Sequence, residues 1–282
     1  MSLLAQIMST FGGAAVHAWA MSANLVGSRQ SSASCGTTAA ALVTGGALSY
    51  GCETFNGTVW ATGPAMGYNI SQHGAVGTAS DCLAFGGNSS GPASTAAKFN
   101  GVSWASTVPM GWASSNLSGI GAGSASSIAL GGVTTGSTPI NYVDYFNGTA
   151  WAALTGMNQI HSQHVSCGAT NTGLVITGLT TGGVTSTAVE KFNGSAWTTT
   201  GANTTQPRVS GGAAGNSSAA IAFGGSTSSQ ASDLWNGATF SVGGSINVAR
   251  LYLSGCGSNL AALAVGGALI GGTVLSSTEI YR

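Results

Sequence analysis

The sequence predicts an all-β chain of six four-stranded antiparallel blades closed into a ring, a six-bladed β-propeller. Three observations predict it. Asn-Gly recurs at Asn56, Asn100, Asn147, Asn193 and Asn236, in steps of 44, 47, 46 and 43 residues, and an aromatic follows four residues after each Asn. Gly-Gly closes a short apolar run at Gly45-Gly46, Gly86-Gly87, Gly131-Gly132, Gly224-Gly225 and Gly266-Gly267, with Thr177-Gly178 as the sixth, variant copy. Helix-favouring Glu, Lys and Arg are almost absent, since only 4 % of the chain is charged. A period of 43–47 residues is too long for a β-helix rung and fits a four-stranded propeller blade.

The elements follow in order. Residues 1–10 are mildly apolar and are expected to form an arm outside the ring, docking on a neighbouring subunit, with the propeller occupying 11–282. Trp19 precedes Gly45 by 26 residues, as Trp60 precedes Gly86, so Ala14–Ala20 is expected to be an outer strand d without its own blade. In the first full repeat, strand a surrounds Cys35-Gly36 and strand b ends at Gly45-Gly46. Strand c is Glu53-Thr54-Phe55, and strand d runs through Trp60. Between c and d, Asn-Gly predicts a hairpin turn, since both residues tolerate positive φ. The chain stops at Glu279-Ile280-Tyr281-Arg282, a strand c with no d after it. Pairing of the N-terminal strand with this strand would close the ring and remove an aggregation-prone edge.

The motif resembles the kelch repeat: Gly-Gly, an acid and an aromatic, a turn, then Trp, best seen in Glu53-Thr54-Phe55-Asn56-Gly57-Thr58-Val59-Trp60 with Pro64-Ala65-Met66. The resemblance covers the chain beyond its first ten or so residues. The pairing of Ala219–Gly225 with Phe-Asn-Gly-Xaa-Xaa-Trp is similar, more narrowly, to kelch-type virion proteins of marine and cyanobacterial bacteriophages.

Five of the six acids, Glu53, Asp144, Glu190, Asp233 and Glu279, hold one repeat position, and only Asp81 lies off it. Such recurrence points to scaffold, with each carboxylate accepting hydrogen bonds between blades, because an unpaired buried charge is costly. The aromatics Trp19, Trp60, Trp104, Trp151 and Trp197 are expected to be structural in the same way. Arg29, His161, Arg208 and Arg250 share another position, on the loop from strand d to the next strand a. The kelch resemblance places that loop at the channel rim and implies a partial ring of donors for an anion or polar glycan. The alternative is that these arginines pair with the recurring carboxylates. Tyr68 and Trp112, both off the repeat positions, are further candidates for glycan contact.

Catalytic constellations are missing. A glycosidase needs two carboxylates about 5–10 Å apart, whereas these acids are spread one per blade. His161 and His164 have no neighbouring Cys or acid to complete a metal site and are expected to be exposed loop residues. His17 and His73 are isolated, and no serine stands in an acid–His–Ser arrangement. No cofactor is expected. Cys35, Cys167 and Cys256 share one position on strand a and are expected to pack as small apolar groups, kept apart by their blades and therefore free, as in a reducing compartment. Asn56, Asn147 and Asn193 match the glycosylation sequon, although the hairpin accounts for them.

Six bases balance six acids, so there is no electrostatic footprint for nucleic acid. No apolar run of about 18 residues suggests membrane insertion. Met1–Gln6 lacks the basic and apolar regions of a signal peptide. The expected role is non-enzymatic: a multi-copy virion structural protein of a tail, fibre or capsid surface, made in the host cytoplasm, contacting other virion proteins and a host-surface glycan or protein receptor. A cellular kelch-type interaction module is the alternative. A propeller-type oxidase fits least, for want of a tyrosine–histidine–cysteine cluster.

Overall fold

The computed structural model describes residues 17–47, 51–226 and 229–282. The expected arm, residues 1–10, lies outside them, as do residues 14–16 of the expected first strand. That strand, β1, is found at Trp19–Met21. Blade one is β2 (Ala33–Gly36), β3 (Ala41–Thr44), β4 (Cys52–Phe55) and β5 (Trp60–Thr62). Blade two is β6 (Gly74–Gly77), β7 (Cys82–Phe85), β8 (Ala96–Phe99) and β9 (Trp104–Thr107); blade three is β10 (Ser118–Gly123), β11 (Ser126–Leu130), β12 (Val143–Phe146) and β13 (Trp151–Ala153). Blade four is β14 (Val165–Cys167), β15 (Gly173–Leu179), β16 (Thr185–Phe192) and β17 (Trp197–Asn203); blade five is β18 (Gly212–Gly215), β19 (Ala220–Phe223), β20 (Ser232–Trp235) and β21 (Phe240–Val242). Blade six joins β22 (Ser254–Ser258), β23 (Ala261–Val265) and β24 (Thr278–Tyr281) to β1. All six sheets are antiparallel. Trp19 pairs with Tyr281 and Met21 with Glu279, so the two ends of the chain complete one blade.

Strand b of each blade is the most buried, as in Ala41–Thr44, Cys82–Phe85 and Ala220–Phe223, because it is covered on both faces by neighbouring blades. The core is accordingly divided among the blade interfaces. Val76, Phe85, Ala129 and Phe146 belong to the second and third blades, and Trp19, Ile221, Phe223 and Tyr281 to the fifth and sixth. Strand c and strand d carry a facing aromatic pair. Phe55–Trp60, Phe99–Trp104, Phe146–Trp151 and Phe192–Trp197 have centroids 4.9–5.0 Å apart. Blade five inverts the pair to Trp235–Phe240 at 4.8 Å, keeping the total volume.

The Asn-Gly segments turn the expected hairpins between strands c and d. The loop holds four residues, 56–59 in blade one, and only Gly57 takes a positive φ, of 93°. The asparagine acts through its side chain: Asn56 Oδ1 accepts the N–H groups of Thr58 at 3.0 Å and Val59 at 2.9 Å. The same pair of bonds recurs at Asn100, Asn147, Asn193 and Asn236. An Asx turn therefore sets the loop, with the side chain mimicking a backbone carbonyl.

The Gly-Gly landmark also has a structural reason. The second glycine of each pair donates its N–H to the next blade, at the carbonyl of the residue in the arginine position. Gly46 bonds Ile70, Gly87 bonds Ser114, Gly132 bonds His161, Gly178 bonds Arg208, Gly225 bonds Arg250 and Gly267 bonds Arg29, at 2.7–3.2 Å. Gly46 does so at φ 103°, and a Cβ there would lie 2.8 Å from the Gln30 carbonyl oxygen. Blade four lost the first glycine and kept the second, Gly178, which makes this bond. Two lysines add links: Lys98 bonds the Gly148 carbonyl and stacks over Phe146, and Lys191 bonds the Gly237 carbonyl over Trp235.

Candidate binding site at the channel mouth

The loop entering each strand a crosses one mouth of the central channel, and there six residues form a closed ring. Ser31, Gln72, Asn116, Gln163, Ser210 and Tyr252 hold equivalent positions in the six blades. All six sit in the left-handed region, at φ 52–56°. The N–H of each donates to the carbonyl of its counterpart in the preceding blade. Ser31 bonds Tyr252, Gln72 bonds Ser31, Asn116 bonds Gln72, Gln163 bonds Asn116, Ser210 bonds Gln163 and Tyr252 bonds Ser210, every distance being 2.8–2.9 Å. A non-glycine residue held left-handed costs of order 1–2 kcal/mol, and here each one joins two blades. This collar borders a cavity of about 150 Å³ that extends along the first residues of each strand a. A second cavity, of about 270 Å³, opens where strand a ends, lined by Gly36, Gly77, Gly121, Gly168, Gly215 and Gly257.

The expected ring of cationic donors does not line either cavity. Arg29, Arg208 and Arg250 are 0–2 % exposed and turn into the blades. Arg29 Nη2 lies 2.6 Å from Glu53, Arg208 Nη2 lies 2.8 Å from Asp233, and Arg250 pairs with Glu279. Each guanidinium also donates through Nη1 to two backbone carbonyls, Gly45 and Gly51 for Arg29 and Gly224 and Ala231 for Arg208. The carboxylates hold the incoming loop as well. Glu53 accepts the N–H groups of Val26 and Gly27, Glu190 those of Asn158 and Gln159, Glu279 those of Asn247 and Val248, and Asp144 that of Gly111. Asp233 accepts the Thr205 hydroxyl instead. Blade two has neither charge, with Ile70 and Ala97 at the base and acid positions, while blade three keeps Asp144 but has Ser114 in place of the base. In blade two the pair is replaced as a unit, which avoids an unpartnered buried charge; in blade three Asp144 keeps the Gly111 N–H as its partner instead.

His161 and His164 are also buried, at 0 % and 5 % exposure, rather than exposed loop residues. His161 Nε2 stands 3.6 Å from Glu190 Oε1, an electrostatic contact beyond hydrogen-bond length. Burial works to raise the Glu190 carboxyl, but the His161 ring and the two backbone N–H groups outweigh it and hold it below the usual value. Burial lowers His164 to about 3, aided by His161, and lowers His73 to about 3, aided by Arg29. His73 Nε2 lies 2.7 Å from Thr44 Oγ1, whose own proton goes to the Ala33 carbonyl. Among the described residues, no group of three or more His, Cys, Asp and Glu side chains is arranged to hold a metal.

Tyr68 is half-buried against Met66, Ile70 and Ala84, and burial pushes its phenol up to about 12. Trp112 is half-buried, T-shaped to the exposed Tyr142 at 6.0 Å. Trp19, Trp60 and Trp197 are buried, while Trp104 and Trp151 are half-buried. The five thiols are free and buried, and Cys35, Cys167 and Cys256 lie in three separate clusters, but Cys35 does not stand alone. Cys35, Cys52 and Cys82 share one apolar cluster at the interface of blades one and two, with Leu42 and Phe99. The face of strand a in one blade meets strand b of the next, a contact that spacing within one repeat does not reveal. Asp81 accepts the N–H of Ser124 at 3.0 Å in the next blade.

No family model matches the chain, and no curated protein is similar to it. The solved structure of YjhT is similar at a TM-score of 0.77 and 15 % identity, covering 90 % of this chain and 95 % of that one. At that identity the likeness concerns architecture alone, and with the six closed sheets it makes this chain a six-bladed β-propeller.

Proposed function

We propose that this chain is a non-enzymatic structural module of a bacteriophage particle, a component of the tail, a fibre or the capsid surface that also adheres to the host. The single observation that carries the reading is where the charges went. Arg29, Arg208 and Arg250, with Glu53, Asp144, Glu190, Asp233 and Glu279, are buried in scaffold contacts. The remaining surface is rich in Ser, Thr and Gly, which suits close packing in many copies, where desolvating a charge is costly. The resemblance read from the sequence motifs, to kelch-type repeats of phage virion proteins, points the same way. The partners are other virion proteins and a host-surface glycan or protein receptor; nucleic acid and membrane insertion have no part in it. The protein is made in the host cytoplasm and resides on the virion.

Cryo-electron microscopy of native particles, with quantitative mass spectrometry of the same preparation, tests this. Density for a six-fold pseudosymmetric ring at fixed copy number supports it. A free monomer absent from purified particles overturns it and favours the cellular interaction module.

A further inference from the structure

We infer that the collared mouth of the central channel binds one neutral, hydroxyl-rich group of the size of a single pyranose ring. The inference rests on the adhesive half of the proposed function and gives it a place and a ligand class.

The collar side chains are Ser31, Gln72, Asn116, Gln163, Ser210 and Tyr252, all half-buried. Each offers both a donor and an acceptor and none carries charge at neutral pH. Their backbones are engaged around the ring, so only the side chains remain for a ligand. Ser210 Oγ donates to Gln163 Oε1 at 3.0 Å, which fixes that amide's orientation. Ser31, Gln72, Asn116 and Tyr252 have no side-chain partner among the described residues. Tyr252 adds an aromatic ring, the kind of surface on which sugar C–H groups stack.

Charge selectivity follows from the surroundings. Asp, Glu, Lys and Arg are absent from the wall of the 150 Å³ cavity. The arginines two residues before Ser31, Ser210 and Tyr252 face into the blades and are paired with carboxylates. A carboxylate-bearing sugar would therefore lose its hydration and gain no ion pair. A neutral pyranose would exchange water for six convergent hydrogen-bonding side chains at no such cost.

The full chain would be titrated by calorimetry and saturation-transfer NMR with glucose, galactose, mannose and N-acetylglucosamine. Glucuronate and N-acetylneuraminate are the charged comparisons. The discriminating variant is the double substitution Gln72→Gly and Asn116→Gly. Glycine accepts the left-handed backbone, so the collar bonds persist while two side chains vanish. A Val102→Ala variant, in an exposed turn, is the control. The expected result is saturable binding of at least one neutral pyranose, about tenfold weaker in the glycine variant and unchanged in Val102→Ala, with equal melting temperatures. Failure of every neutral sugar to bind overturns the inference. So does equal or tighter binding of the charged sugars, or undiminished binding by the glycine variant. Failure here with the protein present on particles leaves the virion reading standing; sugar binding by a protein absent from particles does the reverse.

Discussion

Arg250 and Glu279 illustrate what a single residue does in this ring. Both are fully buried, and each satisfies backbone groups as well as its partner. Replacing Arg250 by Ile strands a buried carboxylate, at a cost of about 3–5 kcal/mol. Adding Glu279→Ala recreates the Ile70/Ala97 arrangement of blade two and is expected to recover at least half of that loss in urea denaturation. A double variant no more stable than the single one would sink the idea of interchangeable units. The buried histidines set the response to acid. Folded His73 and His164 stay neutral down to about 3, whereas the unfolded chain takes up protons near pH 6.5. The unfolded state then binds more protons between those values, so stability falls as pH falls through that window, by about 1.4 kcal/mol per pH unit for each histidine. His164→Leu, which copies Leu117 and Leu253 of other blades, is expected to flatten the slope between pH 6.5 and 4.5. An unchanged slope in paired denaturation curves would contradict the assignment. The recurring acids and bases stand out in the sequence because each is rare. Their burial does not, because a loop entering a strand resembles any exposed connection until the neighbouring blade covers it.

At the scale of the strand and turn, the blade is specified by pairs of residues. The Asx turns rest on one side-chain oxygen accepting two N–H groups. Asn147→Ala is expected to cost about 1 kcal/mol, and Asn147→Asp, which keeps the acceptor, less than half of that, in urea titrations. The aromatic pair makes a sharper test. Trp235→Phe alone removes volume, and Phe240→Trp alone adds it. The double swap restores the Phe–Trp order of the other blades and is expected to lie within about 1.5 kcal/mol of the parent, with both single variants less stable. These elements were legible because the repeat lays four facing copies of the same pair side by side. The collar was not. Its members are Ser, Gln, Asn, Gln, Ser and Tyr, with nothing in common but a backbone conformation, and only Asn among them favours it. The proximity of Cys35 to Cys82 stayed hidden for a related reason, since it arises between repeats.

The whole molecule is held by closure. Trp19 is 7 % exposed, packed 4.7 Å from Phe223 and 5.3 Å from Tyr281, so one residue of β1 ties blade six to blade five. Trp19→Ala is expected to cost about 3–5 kcal/mol. Deleting residues 1–22 removes β1 entirely and bares the outer edge of β24, and an uncovered edge invites pairing with other chains. Light scattering during thermal melting is expected to show a lower transition and soluble oligomers; a truncated chain as monomeric and heat-resistant as the parent would rule out closure as the source of stability. The collar has a consequence of its own at this scale. Its six interblade hydrogen bonds run head to tail around the axis, all in one sense. Each joins two peptide units of about 3.5 D, and the components that six equivalent bonds lay end to end around a circle have no resultant. The backbone of the collar thus sets no preferred direction across the mouth, and a molecule there is oriented by the side chains that project from it.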